Sequence, residues 1–174
     1  MSLTYNYFIE YLPKCYLANI EQDIDRKKVY AFKDGYCPDD IKDKFADIVI
    51  DIASGNKREC IVLFIPVSSN YKTRRRFSGL ASYFKNHSCV EATIKGIENL
   101  EDTESMCMTG RSCNKTESYQ FNTSLYKGKN IILIHDVITL GISFSTCAKH
   151  LLSDGISSVK GLFLANTINP VWAH

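Results

Sequence analysis

The stretch Asn130–Ser145, NIILIHDVITLGISFS, decides how the rest of the chain is read. It opens with a continuous apolar run, Ile131–Ile134. A short run of this kind, bounded by polar residues, fits a strand buried on both faces of a parallel sheet. His135 and Asp136 follow where that strand is expected to end, and then come Val137, Ile138, Thr139, Leu140, Gly141, Ile142 and Ser143. The last five read as a tight loop running into a helix N-terminus. A helix start carries backbone N–H groups without intrahelical partners, and these attract anions such as phosphate. The carboxyl end of a strand in an open α/β sheet is also the usual place of a ligand crevice. Asp136 can accept hydrogen bonds from a cis-diol, Thr139 and Ser143 can donate hydroxyls to phosphate, and Gly141 allows close backbone approach. An ordinary buried strand followed by a capped helix has the same pattern, so the motif alone leaves both readings open.

Length and composition narrow the class. A chain of 174 residues with 45% hydrophobic and 23% charged residues is expected to form one domain with a sizeable core. A formal charge of +2 speaks against a general nucleic-acid binder or a membrane-surface protein. No apolar run approaches the ~20 residues of a membrane span, and no signal-peptide pattern is read at the N-terminus. The seven cysteines, Cys15, Cys37, Cys60, Cys89, Cys107, Cys113 and Cys147, are odd in number and include no CxxC. This argues against a zinc site or a disulfide framework. They are read as reduced thiols of a cytoplasmic protein, several of them packed as small hydrophobes.

Around the central stretch, strand and helix patterns alternate. Thr4–Leu12 places Tyr5, Tyr7, Ile9 and Tyr11 on one face and predicts a strand broken by Pro13. Val29–Phe32, closed by Lys33-Asp34-Gly35, predicts a second short strand. The two are expected to pair as an antiparallel hairpin within residues 1–36. Their aromatics fill the core or form an oligomer surface, core packing being the expectation. Pro38–Ser54 puts Ile41, Phe45, Ile48, Val49 and Ile52 on one helical face, with Asp39 and Asp40 at its start and Gly55 at its stop. Cys60–Val67 predicts another buried strand, ended by Pro66. A polar loop carrying Lys72, Arg74, Arg75 and Arg76 is then expected to enter a helix near Phe77–Asn86. Those cations hold a diphosphate, form a solvated basic patch, or bind RNA. Cys89–Ile94 predicts a strand, and Lys95–Ser124 is long, polar and aperiodic, a functional flap or plain surface disorder. Ser143–Ser153 predicts a helix capped by Ser143 or Ser145, with Phe144, Cys147, Ala148 and Leu151 inward and Asp154-Gly155 at its end. Val159–Ala165 predicts the last core strand. Strand, helix, strand in this order is a βαβ unit, and the fold class is α/β.

The segment HDVITLGIS resembles the phosphoribosyl diphosphate (PRPP) signature of type I phosphoribosyltransferases, in which an apolar strand is followed by two acids, two aliphatic residues and Thr-Thr-Gly or Thr-Ala-Gly. Asp136 matches the second acid, Thr139 the first Thr and Gly141 the Gly, whereas His135 replaces the first acid and Leu140 a small residue. The run IPVSSNYKTRRRFSGLASYF is similar to a segment of ComF-type competence proteins, with Phe77-Ser78-Gly79 where that family favours Gly-Phe-Asn. GLFLANT resembles the family's last core strand, and Arg111 and Asn114 echo its Arg-x-x-Asn element.

The resemblance implies a single type I phosphoribosyltransferase-like domain over residues 1–174. It would have a parallel sheet flanked by helices, a small N-terminal strand or hairpin element and a flexible flap at 95–124. It implies an enzyme that transfers phosphoribose between PRPP and an unknown acceptor. Asp136 and His135 would then face the reacting ribose, and Thr139, Leu140, Gly141, Ile142 and Ser143 the 5′-phosphate. Val67, Ser68, Ser69, Arg74, Arg75 and Arg76 would face the diphosphate. Mg²⁺ carried by PRPP is the implied cofactor, reached indirectly by Asp136. Members that salvage 6-oxopurines carry Asp at the Thr139 position, so purine salvage is disfavoured. Two alternatives stand beside the enzyme: a non-catalytic PRPP- or nucleotide-binding ComF-like protein linked to DNA uptake, and a nucleic-acid-binding module. The expected partners are PRPP or a nucleotide, with a homodimer left open and no membrane.

Overall fold

Five strands form one all-parallel sheet in the computed structural model of the chain, which describes residues 3–88, 90–100 and 119–169. The sheet strands are β1 (Thr4–Tyr11), β2 (Cys60–Phe64), β3 (Glu91–Thr93), β6 (Asn130–Ile138) and β7 (Ser158–Thr167). Their order is β1-β7-β6-β2-β3. A separate antiparallel pair joins β4 (Ile97–Asn99) to β5 (Tyr119–Phe121). The helices are α1 (Ile20–Lys33), α2 (Asp39–Ile52), α3 (Asn70–His87) and α4 (Ile142–Ser153). This is the expected α/β architecture.

Helices cover both faces, which is why the central strands read as unbroken apolar runs. On one face α1, α2 and α3 bury Phe32, Phe45, Phe77 and Phe84 against Val62, Phe64, Ile132 and Ile134. On the other, α4 buries Phe144, Cys147, Ala148 and Leu151 against Ile131, Leu133, Val159 and Phe163. The β4–β5 pair sits on this second face through Ile97. Its approach is so close that a Cβ on Gly96 would lie 2.5 Å from the Leu63 side chain.

Four expectations are corrected. Val29–Phe32 belongs to α1, so there is no N-terminal hairpin, and β1 instead pairs in parallel with β7, Tyr5 opposite Gly161 and Tyr11 opposite Thr167. The helix is specified by a capping box, in which Gln22 N donates to Asn19 Oδ1 at 2.8 Å and Asn19 N donates to Gln22 Oε1 at 3.0 Å. Four apolar residues in a row do not by themselves separate strand from helix. The β1 aromatics divide: Tyr11 is buried, whereas Tyr5 and Tyr7 are exposed. The basic cluster is not a loop but the first turns of α3, which starts at Asn70 behind the N-cap Ser69, whose Oγ accepts from Lys72 N at 3.1 Å. Finally, α4 takes neither Ser143 nor Ser145 as its cap; Gly141 occupies that position in the left-handed region at φ +68°.

Within the 95–124 segment, Ile97–Asn99 pairs with Tyr119–Phe121. Arg111, Asn114, Cys89, Cys107 and Cys113 lie outside the described residues. No helix among the described residues is long and apolar enough to cross a membrane.

Candidate functional site

The sheet forks where the site was expected. β2 and β6 pair from Cys60 opposite Asn130 to Phe64 opposite Ile134, and Ile65 N makes a last bond to Ile134 O at 2.9 Å. Pro66 has no N–H, so the ladder stops there. β6 nevertheless continues beside β7 as far as Ile138 opposite Asn166. β2 leads through α3 to β3 on one side, while β6 leads through α4 to β7 on the other. A crevice at such a divergence, on the carboxyl edge of the strands, is the usual ligand position in open α/β sheets. His135 and Asp136 therefore lie inside β6 rather than at its end, but beyond its contact with β2.

Asp136 is 3% exposed and fully engaged. Its Oδ2 accepts from Arg76 Nη1, while its Oδ1 accepts from Val137 N at 2.6 Å and pairs with His135 Nδ1 at 2.7 Å. Arg76 also donates its Nε to Lys33 O at 3.0 Å. One guanidinium thus ties α3, the C-terminus of α1 and β6 together, and its charge complements the negative end of α1. Burial works to raise the Asp136 carboxyl, but His135, Arg76 and Lys33 outweigh it and hold the group well below its ordinary value of 3.8. Asp136 is a carboxylate at neutral pH.

His135 faces a carboxylate oxygen and, at 3.4 Å, the Val137 carbonyl, both through Nδ1. Both partners are acceptors, so Nδ1 carries a proton and Nε2 is the nitrogen left for a ligand. The ring lies 6.2 Å from Phe77, tilted to it by 47°.

His135 lines a cleft of about 300 Å³ together with Thr139, Leu140, Gly141, Ile142 and Ser143. Ile65, Ile138, Phe144 and Phe163 form its apolar wall. At its lip lies the N-terminus of α4: Gly141 makes no side-chain cap, and among the described residues no carboxylate or hydroxyl accepts from the first-turn N–H groups. A Cβ on Gly141 would have room, its nearest neighbour being Ile138 Cδ1 at 3.6 Å, so the left-handed backbone is what calls for glycine there. Thr139 Oγ1 lies 2.8 Å from Thr167 Oγ1, which ties the loop to the end of β7. Leu140 and Ile142 are exposed at 82% and 63%.

The structure thus brings His135 and Thr139–Ser143 together, with Asp136 directly behind His135. Val67, Ser68, Ser69, Arg74, Arg75 and Arg76 do not line this cleft. Val67 N donates to Thr73 Oγ1 and Val67 O accepts from Asn99 Nδ2 at 2.8 Å, Ser69 caps α3, and Arg74 and Arg75 are exposed. Three participants were not anticipated. Lys33 supplies the carbonyl that orients Arg76; Thr167 braces Thr139; and Asn99 holds the β2–α3 loop, its backbone N donating to Asn70 Oδ1 at 2.9 Å and its Nδ2 to Val67 O. Of these, only Thr167 lay in a motif, GLFLANT.

The implied Mg²⁺ is one carried by PRPP and met only indirectly by the chain; direct ligation is not offered by the described residues. Magnesium binds oxygen donors in a near-octahedral shell, and both oxygens of the one carboxylate at the fork are occupied by Arg76, His135 and Val137 N. Among the described residues, no group of three or more His, Cys, Asp or Glu is placed to hold a metal ion.

No family model matches the sequence, and no curated protein matches it. In three dimensions the chain is similar to a hypoxanthine phosphoribosyltransferase from Staphylococcus aureus, with a TM-score of 0.46 and 10% identity over 83% of this chain and 75% of that one. A hypoxanthine-guanine phosphoribosyltransferase from Bacillus anthracis, with HEPES in its active site, is similar at a TM-score of 0.44 and 20% identity over 72% of this chain and 68% of that one. The enzyme from Leishmania tarentolae in complex with GMP is similar at a TM-score of 0.44 and 14% identity, over 82% of this chain and 67% of that one.

Proposed function

We propose that the chain binds a 5′-phosphoribosyl group in the Thr139–Ser143 cleft, as PRPP or a nucleotide, and that its chemistry is phosphoribosyl transfer to an acceptor. The observation that carries this reading is the uncapped start of α4 behind left-handed Gly141, opening onto the cleft at the fork of the sheet. Its free N–H groups and helix dipole favour a phosphate dianion. Ser143 adds a hydroxyl beside them, and His135 can bond a ribose hydroxyl. Phe144, Phe163 and Ile65 give the sugar an apolar floor that excludes water.

Transfer would break the bond between ribose C1 and the leaving diphosphate and form a bond from C1 to the acceptor, which gives up a proton. Such a reaction is driven mainly by positioning and by fixed donors at developing charge. The acceptor follows from none of these residues.

Gly141→Asp tests the reading. Asp tolerates the left-handed region better than most residues, and it places a negative charge where the phosphate is expected. PRPP and ribose 5-phosphate should raise the melting temperature of the wild type, by about 2.7 kcal/mol at roughly 100 times the Kd. In Gly141→Asp that stabilisation should disappear while the unliganded protein remains folded. A ligand response preserved in the variant would place binding elsewhere, and release of diphosphate from PRPP across a panel of acceptors would identify the reaction.

A further inference from the structure

We infer that two copies of this chain associate by antiparallel pairing of their β1 strands about a two-fold axis at Asn6, which joins the two five-stranded sheets into one. The inference is independent of the cleft and of what the cleft binds.

The two edges of the sheet differ. β3 ends one side with three residues, Glu91–Thr93, the first of them charged and exposed. So short and charged an edge gives another strand little to pair with. β1 ends the other side with eight residues, TYNYFIEY, among them no Lys, Arg or Pro. Its register with β7 runs without a slip from Thr4 opposite Lys160 to Tyr11 opposite Thr167, so no bulge twists this edge away. Alternate residues of such a strand turn their N–H and C=O groups outward, and among the described residues no strand pairs with that side.

Burial marks the part of the edge that is open. Thr4, Tyr5, Asn6 and Tyr7 are exposed and Phe8 is half-buried, whereas Ile9 and Tyr11 are buried. The open stretch is therefore Thr4–Phe8, and its middle is Asn6. A two-fold axis there lays the stretch on its own copy. Tyr5 of each copy falls opposite Tyr7 of the other, Thr4 opposite Phe8, and Asn6 opposite Asn6. Tyr5 and Tyr7 share a face, so four tyrosine rings gather on the side of the sheet that holds α4. These rings are already oriented: Tyr5 stands edge-on to Phe163 at 5.7 Å and to Phe144 at 6.3 Å, and Tyr7 lies 6.4 Å from Tyr5. Groups held in place before association lose little freedom in it. Glu10, the one charge in β1, stays outside the paired stretch, so no like charges are opposed. A second copy fits better than an unrelated strand, because the open stretch is complementary to itself. With β3 blunting the far edge, pairing closes at a dimer and does not grow into a fibre. The paired stretch is about 17 Å long, which predicts a weak, reversible association.

Sedimentation velocity of the full chain from about 5 to about 500 µM should show the mass rising from one chain towards two. Tyr7→Lys sets a charge on the open edge and should weaken association about tenfold or more. Tyr36→Lys, at an exposed position between α1 and α2, should leave it unchanged. In a Cys15→Ser background, which removes an exposed thiol, Asn6→Cys should form an intermolecular disulfide on oxidation. Facing residues of an antiparallel pair lie about 4.5–5.5 Å apart at Cα, within disulfide reach. Glu10→Cys should not cross-link. A chain that stays monomeric at the highest concentration would overturn the inference, the edge then being open to a strand of another protein. So would a dimer that Tyr7→Lys leaves intact, or Glu10→Cys cross-linking as fast as Asn6→Cys. Should Tyr7→Lys not fold, as read by circular dichroism, the wild-type mass and the two cysteine variants decide.

Discussion

Replacing Asp136 by Ala should cost the fold about 3–5 kcal/mol. The carboxylate receives three donors, Arg76 Nη1, His135 Nδ1 and Val137 N. Hydrogen bonds to a charged group contribute about 1.5–3 kcal/mol each, a gross loss that is partly offset because the carboxylate no longer has to be buried. What makes the net loss large is Arg76, which stays behind with Lys33 O as its remaining partner among the described residues. The assay is urea unfolding at pH 7 followed by far-UV circular dichroism, read as a fall in midpoint at unchanged slope. For 174 residues the loss corresponds to a melting temperature lowered by roughly 6–20 °C. The double variant Arg76→Met/Asp136→Leu removes both charges and fills their volume, so it should recover much of the stability. Acid adds a second readout. The folded-state carboxyl is held below its ordinary value of 3.8, so its contribution is complete above that value and is lost as the pH falls beneath it. The stability gap between wild type and Asp136→Ala should therefore narrow on acidification below about pH 4. A single-variant loss under about 1 kcal/mol, or a double variant as unstable as the two singles summed, would refute the claim that this pair is a mutually dependent buried unit.

Two further outcomes can be checked independently. Gly161→Ala would set a Cβ 2.7 Å from Phe163 Cε2, 2.8 Å from Tyr5 Cβ and 2.9 Å from Phe144 Cζ, and should destabilise by about 1–3 kcal/mol in thermal or urea unfolding; a neutral result would mean that β1 shifts freely on β7. Burial pushes the Cys147 thiol up to about 12 and leaves it without solvent contact, whereas Cys15 is exposed. Iodoacetamide at about pH 8 should therefore mark Cys15 in the native protein and Cys147 only after denaturation, as read by peptide mass spectrometry; native labelling of Cys147 would contradict the packing of α4.

Much of the frame is local in origin. The runs Cys60–Phe64 and Ile131–Ile134 are apolar on both faces because both faces are covered, and that is visible residue by residue. The spacing of Ile41, Phe45 and Val49, and of Phe144, Cys147 and Leu151, marks helical faces in the same way. Two misreadings were also local, since the information was present but ambiguous. Asn19 and Gln22 announced α1 and Ser69 announced α3, yet short apolar or basic runs inside those helices imitate a strand and a loop. The partner of β1 was of another kind. Its alternation is equally compatible with an antiparallel neighbour nearby and a parallel one more than 150 residues away, because strand pattern encodes burial and not register.

The candidate site divides along the same line. The chain's local order determined that a buried strand runs into a Gly-containing loop and a helix start, and with that where free N–H groups gather, because backbone geometry needs only neighbours in sequence. Only the tertiary structure decided what Asp136 does. Arg76 is 60 residues away along the chain and Lys33 more than 100, and the packing of α3 and α1 over β6 brings both to the same carboxylate. Two charges that looked like separate ligand contacts become partners of each other, since a buried carboxylate is stable only when its charge and its oxygens are matched.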